Sequence, residues 1–402
     1  MAGEPIIRGP WPAGINNRAP WKNVPPGAVR DSVNVDPLPG GMFGLRSGFT
    51  VQVAGTDIRG ALSVGNHILF ADGTQLKVFD AQTSTTTVLA TIAGAGRFTG
   101  DVWNEELFFC TENENLRYRD GVLRQWGVTT VSSQPVPTVV AGGLLAGEYQ
   151  CAATFVDAYG DEGGTNNPVV VTVAAGSAMR FTLPTPPAGG KVRLYVGNVQ
   201  GGTLYLQFEG TGQYTCSTVV DNTARLDTVL LRAPLPADFI CEHNGVIAMA
   251  DGKTLWLTTP LRPHLRSAMS RFFQYPADID CVISSDGGLF VAADKTYFIS
   301  AVESDSPAQA TLFPYGAVRG SMARAPDDRA VWMTQYGLAK SDGSGRATLL
   351  SAERFVPELA SQGGSGILER NGNQLVVTTM QRAKGENPLS ASDYYEAEII
   401  TP

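Results

Sequence analysis

Charge is scarce in this sequence. Asp, Glu, Lys and Arg make up 17% of its 402 residues, against about a quarter in an ordinary globular chain. The little there is leans acidic, 38 carboxylates against 30 bases, for a net charge of −8. A duplex-binding surface needs a basic stripe to release counterions, and none is present, so no sequence-specific nucleic acid partner is expected. Histidine is nearly absent. His67, His243 and His264 are the only three, none in ligand spacing, so structural or surface roles are expected of them. Cys110, Cys151, Cys216, Cys241 and Cys281 stand singly, with no C-x-x-C. An odd count at wide spacing argues against a disulfide framework or a zinc site. Each adjoins an apolar run and reads as a small buried hydrophobe, in a chain made in a reducing cytoplasm. No apolar run approaches the roughly 18 residues of a transmembrane helix, so no membrane insertion is expected. The opening MAGEPIIRGPWPAG lacks the basic and apolar regions of a secretory signal. The P-loop, G-x-S-x-G and dinucleotide-binding fingerprints are all missing. No catalytic residue, cofactor or metal is assigned, and the chain is not expected to be an enzyme.

Helix signals are also few. The best is Ser351–Leu359, SAERFVPEL, which Pro357 interrupts. Strand signals such as VVVTV, VRLYV, TLYLQF and LFVAA fill the chain, punctuated by Asp72-Gly73, Asp120-Gly121, Asn244-Gly245, Asp251-Gly252, Asp286-Gly287, Asp342-Gly343 and Asn371-Gly372. Such pairs supply the positive φ of two-residue hairpin loops. The chain is therefore all-β, a propeller, sandwich or barrel.

Internal repeats choose among these. ILFADGTQLKVF (68–79) and IAMADGKTLWLT (247–258) share apolar positions, Asp-Gly and the following Leu at the same offsets. LFVAADKTYFIS (289–300) is close, and LFFCTENENLRYRDG (107–121) and VWMTQYGLAKSDG (331–343) are looser copies. Each copy is two strands of a small sheet that cannot bury both faces alone, and radial packing against neighbours solves this. A β-propeller of about six blades is predicted, near 60–95, 96–128, 235–276, 277–316, 317–360 and 361–401. YYEAEII (394–400) is expected to pair with a strand near 49–54 and close the ring. The spacing breaks between Val128 and Leu235. There SSQPVPT (132–138) reads as a linker to six or seven alternating strands, the size of an Ig/fibronectin-III-like β-sandwich. The domain boundaries are 1–48 for an extended N-terminal arm, 49–133 for the first part of the propeller, 134–232 for the inserted sandwich and 233–402 for the second part. The arm, rich in proline and glycine, is expected to hold little regular structure. Trp11 and Trp21 are its anchors, on its own propeller or on another subunit.

Three further clusters carry possible chemistry. SSDGGLFV (284–291) partly resembles the Asp-box of sialidase propellers, a turn element away from their active site. DAYGDEGG (157–164) reads as a solvated hairpin tip, with calcium binding left open. LRPHLRSAMSR (261–271) offers Arg262, Arg266 and Arg271 as protein contacts.

Three passages together carry a resemblance. GINNRAPWKNVPPGAVRDSVNVDPLPGGMFGLRSGF (14–49) resembles the start of phage virion proteins. LLAGEYQCAATFVDAYGDEGG (144–164) with VRLYVGNVQGGTLYLQ (192–207) resembles their inserted sandwich. HNGVIAMADGKTLWLTTPLRPH (243–264) with FFQYPADIDCVISSDGGLFVAADKTYFIS (272–300) resembles propeller segments of bacteriophage tail nozzle and tail-tip structural proteins. The resemblance implies a structural component of the distal tail of a virion, made in the host cytoplasm. Its expected partners are other phage tail proteins and its own copies, around a three- or six-fold axis. The alternative is a receptor-binding protein that meets a host cell-surface glycan or pilus.

Overall fold

The computed structural model describes residues 10–46, 48, 50–92, 96–351, 353–370 and 373–390. These form thirty-five strands and two single-turn 3-10 helices, with no α-helix. The chain divides into two compact units, 55–274 and a second made of 1–54 with 275–402.

In the 55–274 unit, blade 1 is a four-stranded antiparallel meander of Ile58–Val64, His67–Asp72, Gln75–Asp80 and Thr85–Thr91. Blade 2 repeats it with Thr99–Trp103, Glu106–Cys110, Asn115–Arg119 and Val122–Gln125. The five residues of Glu106–Cys110 are all buried, and their side chains alternate between two cores. Leu107 and Phe109 join Leu69, Leu76 and Val78 of blade 1. Phe108 and Cys110 join Trp126, Ile240 and Met249 toward blade 3. A strand with an apolar neighbour on each face needs an unbroken apolar run, which is why ELFFC does not alternate. Blade 3 contains Phe239–His243, Val246–Asp251, Thr254–Thr259 and Arg262–Ser267. Leu231–Arg232 adds to its outer edge, and Phe272–Gln274 pairs with Thr254–Thr259.

Between blades 2 and 3 the chain makes two sheets. One orders Thr138–Leu144, Ser177–Thr182 and Gln213–Cys216; the other orders Val169–Val173, Gly147–Val156, Lys191–Gly197 and Leu204–Gly210. Leu144, Met179, Phe181 and Cys216 from the first share one core with Tyr149, Cys151, Phe155 and Leu194 from the second. Residues 138–216 thus form two sheets around one core.

In the other unit, blade 4 is Cys281–Ser285, Gly288–Ala292, Thr296–Ser300 and Ala308–Phe313. Blade 5 is Ala323–Arg324, Ala330–Thr334, Gly337–Ser341 and Ala347–Leu349. Phe290 and Trp332 meet between them, with ring centroids 5.4 Å apart. In every blade the sequence repeat is the hairpin of second and third strands. The architecture is that of a β-propeller, with four four-stranded blades and a six-stranded blade 3 described. The predicted sixth is, among the described residues, a two-stranded ribbon of Ala360–Arg370 and Asn373–Arg382. Residues 394–400 and their predicted pairing lie outside the described residues.

Two other expectations need correcting. The arm holds regular structure, a parallel bridge of Gly14–Ile15 with Ala28–Val29 and a hairpin of Val35–Leu38 with Met42–Leu45. Ser351–Leu359 is not a helix. One turn forms, with Arg354 and Phe355 donating to the Ser351 carbonyl. The chain then extends so that the Val356 amide donates to Asn17 Oδ1 (3.0 Å) and Asn17 Nδ2 donates to the Val356 carbonyl (2.7 Å). This tertiary pair takes backbone groups a helix would have used. It also places the arm on its own chain.

Candidate functional site

The acidic loop predicted as a solvated tip faces a buried cation. Arg117, third strand of blade 2, has a side chain only 3% exposed. Its guanidinium donates to Asp161, lies 3.4 Å from Asp157 and 3.7 Å from Glu106, and its Nε donates to the Gln125 carbonyl at 3.1 Å. Arg124 joins Glu106 at 2.8 Å and covers the Tyr159 ring at 4.3 Å. His264 of blade 3 completes the seam, Nδ1 3.8 Å from Asp161. Burial holds its imidazole below the usual range, against the upward pull of Asp161, so at neutral pH this contact is not an ion pair. The carboxylates of this loop therefore fasten the sandwich to blade 2, with His264 of blade 3 packed beside them. Among the described residues no group of three or more His, Cys, Asp or Glu is arranged to hold a metal.

The chain's two crossings into the sandwich are fastened as well. Gln134, in the predicted linker, is buried; its amide donates to Thr165 Oγ1 (2.7 Å) and accepts from the Ala153 amide (2.6 Å). On the return, Arg232 donates to Asn166 Oδ1 (2.7 Å) and the Thr165 carbonyl (3.2 Å). The linker is thus part of the packed structure, and the sandwich belongs to the same compact unit as blades 1–3.

The five predicted contact residues fare differently. Trp11 stacks on Phe43 within the arm, centroids 5.3 Å apart. Trp21 opens the 3-10 turn Trp21–Asn23. Arg262, 42% exposed, pairs with Asp227 at 2.6 Å. Arg266 is buried, its guanidinium 4.5 Å over the Trp256 ring, so it serves its own blade. Arg271 donates to the Thr258 carbonyl at 3.3 Å. Near the last two, Met269 and Phe272 stand exposed.

Asp286, of the Asp-box-like turn, is an inter-blade suture. Its carboxylate accepts from Ser341 Oγ (3.0 Å) and from the amides of Gly343 (2.8 Å) and Gly345 (3.3 Å) in blade 5. Asp286 and Gly287 both have positive φ, 57° and 76°, the two-residue loop the sequence predicts. The five cysteines are buried and free. Desolvation pushes the Cys110 and Cys151 thiols up to about 12, so they are unreactive.

Sequence reasoning also missed a cleft of about 470 Å³ between the turns of blades 4 and 5. Tyr315 and Tyr336 line it, both half-buried, with ring centroids 4.3 Å apart, and Phe313 stacks on Tyr315 at 5.2 Å and 4°. Gly316 follows so closely on blade 4 that a Cβ there would lie 2.1 Å from the Ala293 carbonyl oxygen. That approach, with Thr296 Oγ1 donating to the Tyr315 carbonyl (2.8 Å), fixes the ring's backbone. Polar groups surround the rings. Arg319 is 3.6 Å from Asp280 and donates to the Ile279 carbonyl (2.7 Å), Asp294 accepts from Tyr297 (2.9 Å), and the Gln335 side chain is exposed.

No family model matches the chain, and no curated protein does. Among solved structures it is similar to BBS1N, at 10% identity and TM-score 0.33 over 85% of this chain and 98% of that one. Virginiamycin B lyase from Staphylococcus aureus is similar at 10% identity and TM-score 0.34, over 81% of this chain and 92% of its own. The WD40 β-propeller domain of Doa1 is similar at 10% identity and TM-score 0.30, over 80% and 93%. At such identities and scores nothing of those proteins' functions passes to this chain, and the propeller architecture rests on its own strand order.

Proposed function

We propose that the chain is a non-catalytic structural component of the distal tail of a tailed-bacteriophage virion, a nozzle, hub or tip. In this reading it assembles with its own copies around a three- or six-fold axis and with other tail proteins, in host attachment and DNA delivery. We read its sandwich as of the Ig/fibronectin-III kind. The resemblance of the arm, sandwich and propeller passages brings the reading to the tail. The observation that supports it is the seam: a module inserted into a propeller is fastened by Arg117, Gln134 and Arg232. A particle part that keeps its geometry outside a cell needs such fastening.

The test is mass by light scattering on the purified chain, then negative-stain images, with residues 1–46 deleted in a second preparation. A ring or a three- or six-fold cluster, lost in the deletion while the strands stay folded, is expected. A 42.7 kDa monomer at every concentration, with tails assembling normally from the deletion, overturns the reading. A second reading, recognition of a host surface, is favoured by the tyrosine-lined cleft.

A further inference from the structure

We infer that the cleft between the turns of blades 4 and 5 binds an uncharged pyranose ring of a carbohydrate. The inference rests on the second reading for its biological use; the chemistry is that of the cleft itself.

The volume of about 470 Å³ falls within the roughly 300–1,000 Å³ of small-molecule sites. Its lining is too polar for an apolar ligand, because Asp280, Asp294, Arg319, Gln335 and Glu358 all border it. Three of these are carboxylates and one is a guanidinium, so a phosphate or an acidic sugar meets net repulsion. Asp280 is already paired with Arg319, Glu358 with Arg382, and Asp294 accepts from Tyr297, so each carboxylate has a partner and the ligand that suits these rings and polar groups is neutral, with an apolar face and a rim of hydroxyls. A pyranose has both. Its C–H face fits an aromatic platform, and Tyr rings supply apolar area while their hydroxyls reach solvent or a partner. Its hydroxyls donate and accept, matching acceptor-only carboxylates, a donor-only guanidinium and an amide that does both.

Preorganisation supports the assignment. Tyr315 is held by Phe313 stacking, by the close approach at Gly316 and by the Thr296 bond. Asp294 is oriented by Tyr297 and Arg319 by the Ile279 carbonyl. A site whose side chains are already placed loses less entropy when it binds.

The experiment is saturation-transfer NMR on the full chain with D-glucose, D-galactose, N-acetyl-D-glucosamine and L-rhamnose, each alone, followed by titration of any binder. Transfer to the ring protons of at least one sugar is expected. Tyr336→Ala weakens its Kd about tenfold, roughly 1.4 kcal/mol, whereas Tyr336→Phe keeps the platform and stays near the parent value. Gln335→Ala, at an exposed side chain and so without consequence for folding, weakens it several-fold. Inorganic phosphate gives no competition. Silence with all four sugars overturns the inference. Binding unchanged in both Tyr336→Ala and Gln335→Ala also overturns it for this cleft, yet leaves host-surface recognition standing through another site.

Discussion

The inserted sandwich and the 360–382 ribbon are both β-structure added to propeller blades, and they are held in opposite ways. The sandwich has its own two-sheet core and, in addition, a seam of buried polar bonds to blade 2 and at its own crossings. Among the described residues the ribbon is a two-stranded sheet with no further partner strand. Leu368, Val376 and Val377 on it are 36–39% exposed, and Gly363 and Ala383 tie its base through backbone bonds to Arg319 and Leu359. A two-stranded ribbon in water is marginal at best. The difference teaches that an element's strand pattern says little about how firmly it is fixed. What decides is whether buried polar groups would be orphaned by its release.

The sharpest way to break the comparison is Arg117→Met. It leaves Asp157, Asp161 and Glu106 facing an apolar side chain. Removing one member of a buried ion pair costs about 3–5 kcal/mol, to be read as a drop in the chemical-denaturation midpoint of the full chain. If the midpoint barely moves, the seam does not hold the sandwich. Gln134→Ala comes next. It strands the buried Ala153 amide, a loss of about 1–3 kcal/mol by the same measurement.

The seam also has a pH signature. The unfolded His264 titrates near 6.5, and the folded one lower. Below about pH 6.5 the unfolded state therefore binds more protons, and stability falls as pH drops. His264→Gln is expected to flatten the decline between about pH 6.5 and 5 in a pH series of melts; an unchanged slope would assign the decline to other groups. The smallest effect belongs to the ribbon. Ser365→Ala removes a 2.8 Å hydroxyl pair with Thr378 and should stay within about 0.5 kcal/mol. A larger loss would mean the ribbon is held as firmly as the sandwich.

The blades were legible in the sequence because a hairpin carries its own signals. ELFFC, VIAMAD and GLFVA announce buried strands, and Asp-Gly or Asn-Gly announces the loop. The insertion was legible because that spacing stops. The seam was not, since Arg117 lies 40 and 44 residues from Asp157 and Asp161, and no periodicity links a cation to acids in another module. The acidic loop read as solvated for that reason. Ser351–Leu359 failed as a helix because Asn17, more than 330 residues away, supplies a better partner for its backbone. The tyrosine cleft was hidden likewise, because Tyr315 and Tyr336 belong to different connections and meet only after two blades have packed.

One consequence of the Thr165–Asn166 junction is mechanical. The incoming chain reaches it through Gln134 and the outgoing chain through Arg232, so both peptide crossings are clamped at one point of the sandwich. A pull on the sandwich tip cannot first slacken a tether; it must shear these bonds and the Arg117 contact together. The sandwich would then behave as a lever fixed at its base, and it would transmit torque to blades 2 and 3 instead of absorbing it.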